Sequence, residues 1–315
     1  MRIQGEPTPE AVQARAASRD PPLVSVALCA DKNIEVGLHV TLYSLLKYSH
    51  HRIRINLLLN GYRSHHLAKI YETLEPFNGQ YELNILEANA GLFAKHRGLH
   101  GNKFCFVKLM LADFLDDDRV IYLDSDLIIQ RDLGELFCSD MKGYVIAVSG
   151  LGGTKDSVER ELFASLGVGL NEEVRYFNSG VMLVNLKLWR SLGITQQCVE
   201  FAGKYPQQLP GADQTVLNYV LYKNYIEVDS SYNSALYPAS KPVNPTAVGK
   251  IFHFVGSPKP WDFLGEFVHP NYPLFHAVLS NTAFRNYKTY RGLTFSRVKR
   301  TLRLSRSYLQ RFSKA

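Results

Sequence analysis

Two carboxylates close a hydrophobic run: Val120-Ile121-Tyr122-Leu123 leads directly into Asp124-Ser125-Asp126. Alternate residues of a strand share a face, so both carboxylates can point into one crevice. Hard oxygen donors so placed suit Mg²⁺ or Mn²⁺, and such an ion can bridge to a diphosphate. Alone the tripeptide is a weak signal, because chance supplies an Asp-x-Asp about 0.6 times per chain of this composition, and a solvated strand end accounts for it too.

Four further stretches carry polar groups of suitable kinds. In Ile251-Phe252-His253-Phe254-Val255-Gly256-Ser257-Pro258-Lys259-Pro260-Trp261, a strand would turn His253 away from Phe252 and Phe254. A neutral imidazole there could add a nitrogen ligand and favour Mn²⁺ over Mg²⁺; a hydrogen-bonded core histidine fits the same pattern. Gly256 permits close backbone approach to a phosphate, and Lys259 offers it a point charge. Asn178, in Tyr176-Phe177-Asn178-Ser179-Gly180, can donate to and accept from sugar hydroxyls, or simply make a turn. Asp213 and Gln214, after Pro210-Gly211-Ala212, either cap a helix or bind polar substrate groups. Ala30-Asp31-Lys32-Asn33 could hold a nucleobase and ribose, and is also an ordinary strand-to-helix loop.

These residues need a frame. Short apolar runs at 23–30, 54–59, 81–87 and 119–123 read as buried strands, and helical spacing fills 34–49, 64–76 and 103–115 between them. That rhythm predicts an α/β fold with an open, mostly parallel, Rossmann-like sheet and helices on both faces. In such sheets ligands bind at the carboxyl ends of the strands, where Asp31 and Asp124 fall. Later strands are expected at 144–149, 180–185, 225–228 and 250–254, and helices at 157–166, 187–202 and 213–222.

With 315 residues, 46% hydrophobic and 21% charged, the chain can bury a large core. Its apolar runs are too short to cross a bilayer, and its four cysteines form no C-x-x-C pair, as suits a reducing cytosol. The net charge of +7 is unevenly spread: residues 267–315 hold ten Lys and Arg and no acid. The expected division is a flexible leader over 1–22, one domain over 23–266 and a basic helical tail over 267–315. The tail places Phe295, Val298, Leu302, Leu309 and Phe312 at roughly helical spacing among arginines, the pattern of a helix lying on an anionic membrane. The rest of the chain is slightly acidic, which argues against a nucleic-acid partner.

Taken in order, the motifs resemble glycosyltransferase family 8. They are Ala30-Asp31-x-Asn33, Lys108 ahead of Val120 to Asp126, Phe177-Asn178-Ser179-Gly180 through Arg190, Asp213-Gln214-x-x-Leu217-Asn218, and His253-x-x-Gly256-x-x-Lys259-Pro260-Trp261. This family includes bacterial lipopolysaccharide galactosyl- and glucosyltransferases and glycogenin. The resemblance implies a GT-A fold, a UDP-sugar donor, a glycan or glycolipid acceptor, Mn²⁺ (Mg²⁺ as substitute), and transfer with retention. It implies Asp124, Asp126 and His253 as metal ligands, with Ser125 between the carboxylates at the donor. Ala30, Asp31 and Asn33 are implied at uridine, and Gly256 and Lys259 at the diphosphate. Asn178, Asp213 and Gln214 fall at the transferred sugar, the last two being the candidate catalytic groups.

Two departures stand out. Lys108 occupies a position where bacterial members often have Arg, so a bidentate contact becomes a point charge on the donor. Ser149 falls near an Asp that contacts sugar in some galactosyltransferases. A nucleotidyltransferase making UDP-sugar is the rival enzyme class, but Ala-Asp-Lys-Asn after the first strand is not a Gly-rich basic phosphate loop. The expected setting is cytoplasmic, peripheral on the inner face of a membrane, in surface polysaccharide synthesis.

Overall fold

The computed structural model describes residues 23–99, 102–153, 157–168 and 175–291, with 298–299, 301–302 and 304–305 beyond them. Strands β1 (Val24–Asp31), β2 (Ile53–Asn60) and β3 (Tyr81–Glu87) are parallel, joined by helices α1 (Glu35–Lys47) and α2 (Ser64–Leu74). β4 (Arg119–Leu123) lies parallel to β1 on its other side. β7 (Arg175–Asn185) runs antiparallel to β4 and to β6 (Ile146–Gly153), and β8 (Tyr225–Glu227) closes the edge. The main sheet has the order β3-β2-β1-β4-β7-β6-β8, and β5 (Leu127–Ile129), β10 (Ile251–Phe254) and β9 (Ser234–Leu236) form a second sheet. The mostly parallel α/β expectation holds, with β7 as the reversed strand.

Alternation along the buried strands divides the core into two layers. Val120 and Tyr122 of β4 face a layer built with Phe106, Leu109, Trp189, Val216 and Leu217. Ile121 and Leu123 face the other, with Leu38, Leu42 and Leu45 of α1 and Ile70 and Leu74 of α2. α1 is buried on nearly every side because Val36 and Val40 also meet a third cluster beneath the second sheet, with Phe254, Trp261 and Phe275. A helix buried on nearly every side belongs between two layers, and α1 lies between the two sheets, its buried Thr41 and Ser44 bonded to the β5 backbone.

The departures from the expected elements have physical causes. The helix expected at 187–202 is two helices, Leu186–Ser191 and Ile194–Lys204, separated by Gly193 at φ +63°, a left-handed turn that costs glycine little. The helix expected at 103–115 is a 3₁₀ segment, Phe104–Met110, followed by one α-turn, Leu111–Phe114. The proposed boundary at 266 cuts a helix, Gly265–Val268, and the chain beyond it packs on the body. Helix Tyr272–Leu279 buries Leu274, Phe275, Val278 and Leu279, Ala283 N–H donates to Thr73 Oγ1 at 3.0 Å, and Tyr287 OH donates to the Trp261 carbonyl at 2.8 Å. Residues 267–291 are therefore part of the fold. Of the apolar tail positions only Val298 and Leu302 lie among the described residues, both exposed and helical; Phe295, Leu309, Phe312 and the leader 1–22 lie outside them.

Candidate active site

Asp124-Ser125-Asp126 occupies the corner where the chain leaves one sheet for the other. Asp124 N–H still donates to Gly180 O of β7 at 2.7 Å, whereas Asp126 O already accepts from Phe254 N–H of β10 at 3.1 Å. One residue on, Leu127 pairs with His253. The register of the second sheet thus carries His253 to the carboxylates. Ligand atoms of Asp124, Asp126 and His253 all lie within 4.8 Å of one another.

Two close approaches secure the corner. A Cβ on Gly180 would fall 2.3 Å from His253 Cε1, and one on Gly37 of α1 would fall 2.6 Å from the Ser125 carbonyl and 2.9 Å from Trp261. Ser125 itself is buried and donates its hydroxyl to the Cys29 carbonyl at 3.1 Å, tying the corner to β1.

The donor set fits a cation. Gly180 N–H donates to Asn178 Oδ1 (2.9 Å), which fixes that amide; Asn233 Nδ2 donates to the same oxygen (2.7 Å), leaving Asn233 Oδ1 to accept from His253 Nδ1–H (3.0 Å). In the neutral imidazole Nε2 then carries the lone pair, 3.2 Å from Asp126 Oδ1 and 3.8 Å from Asp124 Oδ2. Asp126 Oδ1 is buried and has no hydrogen bond. Acceptors facing one another in a largely buried site are the arrangement a divalent ion resolves, and an imidazole held through its other nitrogen is the usual support for such a ligand.

Lysines neutralise most of the buried charge. Lys108, 3% exposed, sits 2.8 Å from both Asp124 and Asp213 and 4.6 Å over the Tyr122 ring. Burial opposes its charge, but the two carboxylates override burial and hold the ammonium above its ordinary range. Lys259 Nζ sits 2.7 Å from Asp126 Oδ2 and also donates to the Phe254 carbonyl, while Asp262 Oδ2 accepts from Lys259 N–H at 2.7 Å. Burial pushes the Asp126 carboxyl up, yet the Lys259 ammonium beside it holds it well below the usual carboxylate range. Three carboxylates (Asp124, Asp126, Asp213) against two ammonium groups leave one negative charge, which again suits a cation.

Asn178, Ser179, Gln214 and Tyr176 form a chain of neutral groups. Asn178 Nδ2 donates to Gln214 Oε1 at 3.0 Å, Ser179 N–H donates to the same oxygen at 3.1 Å, and Gln214 Nε2 donates to Tyr176 OH at 2.9 Å. Asp213 is the first residue of helix Asp213–Val220, not its cap, which is Ala212 at φ +52°. Its carboxylate accepts from Lys108 and from Ser179 Oγ at 3.3 Å, and burial raises its pKa against the pull of Lys108.

Asp31 and Asn33 line a cleft of about 1390 Å³, together with Trp261, Asp262, Lys103, Tyr287, Lys299 and Leu304. Asp31 Oδ1 accepts from Asn33 N–H at 2.8 Å and Oδ2 from Asn33 Nδ2 at 3.0 Å; Ala30 is buried at the strand end. Gly256 turns at φ +81°, with nothing nearer to an added Cβ than Pro238 at 3.5 Å, so backbone conformation rather than space demands glycine there. Lys108, expected at the donor, is buried with its Nζ between the Asp124 and Asp213 carboxylates. Asn233 and Glu159 carried no motif in the sequence, because an isolated Asn or Glu has no spacing to mark it. Tyr176 stood beside Asn178 but gave no sign of its bond to Gln214.

The profile of Glycosyl transferase family 8 matches residues 25–265. General stress protein A of Bacillus subtilis is 25% identical over 76% of this chain and 88% of its own length. Lipopolysaccharide glucosyltransferase WaaO of Escherichia coli is 26% identical over 76% of this chain and 72% of its own. The chain spans only 29% and 38% of the Streptococcus pneumoniae glycosyltransferases GlyA and GlyE, which it also matches. The crystal structure of galactosyltransferase LgtC with donor and acceptor sugar analogues superposes at TM-score 0.65 and 22% identity, covering 88% of this chain and all of that one, so the fold is GT-A. With a match that takes in every motif from Ala30 to Trp261, the chain belongs to glycosyltransferase family 8.

Proposed function

We propose that this chain transfers a hexose, glucose or galactose, from a UDP-sugar to a glycan or glycolipid acceptor with retention of configuration, in lipopolysaccharide or related surface-glycan synthesis. The observation that carries the reading is the convergence of Asp124, Asp126 and a tautomer-fixed His253 in one GT-A frame. Relatives and structural neighbours that bear the names of glucosyl- and galactosyltransferases support the hexose.

Mn²⁺, or Mg²⁺ in its place, would be held by Asp124, Asp126 and His253 and supply Lewis-acid stabilisation of charge on the departing diphosphate. Asp31 and Asn33 hold the nucleoside end. Lys259 exchanges Asp126 for the diphosphate, with Gly256 giving the backbone room to approach. Asn178, Asp213 and Gln214 face the sugar. Asp213 is already held by Lys108 and Ser179, which makes it a poor nucleophile and leaves neutral Gln214 beside the sugar carbon. That arrangement favours attack of the acceptor from the face the diphosphate leaves, guided by hydrogen bonding rather than by a covalent intermediate.

A screen over UDP-hexoses with product mapping tests the reading. Turnover with one hexose, lost in excess chelator and restored better by Mn²⁺ than by Mg²⁺, is the expected result; full activity in chelator would remove the metal assignment.

The tail is read as a membrane contact. Lys299 and Leu304 line the same cleft as Asp31 and Asn33, so a tail lying on lipid would bring the cleft to a lipid-linked acceptor. Truncation after Arg291 should abolish co-sedimentation with anionic vesicles while sparing transfer to a soluble acceptor.

A further inference from the structure

The neutral chain that holds Gln214 does not end at Tyr176. Tyr176 OH donates to Glu159 Oε1 at 2.7 Å, and Thr215 Oγ1 donates to the same oxygen at 2.8 Å. Glu159 is fully buried, and its other oxygen has no hydrogen-bond partner. A Cβ on Gly211 would stand 2.6 Å from that Oε1, 3.1 Å from Thr215 Oγ1 and 3.1 Å from Tyr176 OH, so the carboxylate reaches both hydroxyls only because residue 211 is glycine.

The hydrogen count makes this arrangement directional. A carboxylate oxygen only accepts, so both hydroxyls spend their protons on Glu159. Tyr176 then offers Gln214 a lone pair alone, and the Gln214 atom beside it must be Nε2. The opposite end agrees: Ser179 N–H is an unambiguous donor, so the Gln214 atom beside it must be Oε1. Without Glu159, Tyr176 could donate to Gln214 as readily as accept from it, and one of the two constraints on the amide would vanish.

We propose that Glu159 and Tyr176 are positioning residues that lock the Gln214 amide with its oxygen toward Asn178 and Ser179, on the side of the metal ligands. This rests on the reading of Gln214 as the group beside the transferred sugar. A buried carboxylate with two hydroxyl donors is a costly way to fill a core position and a good way to fix a hydrogen-bond sense.

The test is a mutant cycle read as kcat and as Kd for UDP. Tyr176→Phe should lower kcat about 10- to 100-fold with Kd for UDP unchanged. Glu159→Gln retains an acceptor for Tyr176 and should stay close to the unaltered enzyme, whereas Glu159→Leu should resemble Tyr176→Phe. Because the residues act in series, the double variant Glu159→Leu/Tyr176→Phe should be no slower than Tyr176→Phe alone. Unchanged kcat in Tyr176→Phe, or losses that multiply in the double variant, would overturn the proposal. Hydrogen exchange of the Gln214 side-chain amide, followed by NMR, gives an answer without turnover: slow in the unaltered protein and fast in Tyr176→Phe. Equal rates in the two would overturn the lock, while absence of sugar transfer by the unaltered enzyme with locked exchange would fault the functional reading instead.

Discussion

The two halves of the site are held by different physics. The half around Asp124, Asp126 and His253 is charged, and Lys108 and Lys259 offset part of that charge. The half around Asn178, Gln214 and Tyr176 is a run of neutral amides and a hydroxyl, every link a hydrogen bond of 2.9–3.1 Å. Buried ion pairs are exchanged when a competing charge arrives, whereas a satisfied amide network resists rearrangement because each broken link leaves a dry polar group. The charged half is thus suited to admit ion and diphosphate, and the neutral half to meet the sugar already in place. Asn178 joins the two, since its Oδ1 leads to His253 through Asn233 and its Nδ2 to Gln214.

Breaking the charged half should have the largest effect. Asp126→Ala removes a ligand and also strands Lys259; transfer should fall at least ~10³-fold, with circular dichroism unchanged. A residual rate near that of the unaltered enzyme would mean the carboxylate pair only supports the corner between the sheets.

A finer cut is Gly180→Ala. Its methyl would stand 2.3 Å from His253 Cε1 and 2.9 Å from Asn178 Oδ1, and would push the His253 ring aside. Metal affinity, measured by titration calorimetry, should weaken about 10- to 100-fold, with kcat at saturating metal much less affected. Equal damage to both would show that the halves are not separable.

Lys259→Ala sharpens the contrast by sign. Removing the ammonium frees Asp126 Oδ2, so Mn²⁺ binding without nucleotide should tighten, while UDP binding should weaken by about fivefold. Two changes in the same direction would contradict the exchange of Asp126 for diphosphate.

An effect on stability alone lies outside both halves and separates site from scaffold. His39 is fully buried on α1, 2.6 Å from Thr73 Oγ1 and edge-on to Phe284, and burial holds its pKa down to about 3. Between the ordinary value of 6.5 and about 3 the unfolded chain binds a proton that the folded chain refuses, so stability is lost as pH falls through that window. From pH 7 to pH 5 the loss should be about 2 kcal/mol by urea titration. His39→Gln should flatten that slope and leave UDP binding untouched at either pH.

Much of this was legible in the residues. Alternation in Val120–Leu123 and the apolar runs around it determine a buried parallel sheet and place Asp124 at a strand's carboxyl end, because burial and pleat are local consequences of side-chain type. The motifs about Asp31, Asn178, Asp213 and His253 name polar groups of the candidate site, since donor and acceptor chemistry travels with the residue. What the residues do not determine is which groups meet. Lys108 has a donor-facing chemistry and a buried place between Asp124 and Asp213; Asn233, Tyr176 and Glu159 carry no spacing that marks them. The C-terminal segment looks like a charged appendage until Phe275 and Tyr287 are seen against Trp261. The transfer of the chain from one sheet to the other at Asp126, and the pairing of Leu127 with His253, assemble the ligand set. Those contacts join positions more than a hundred residues apart, and only the packed sheets fix a register over that distance.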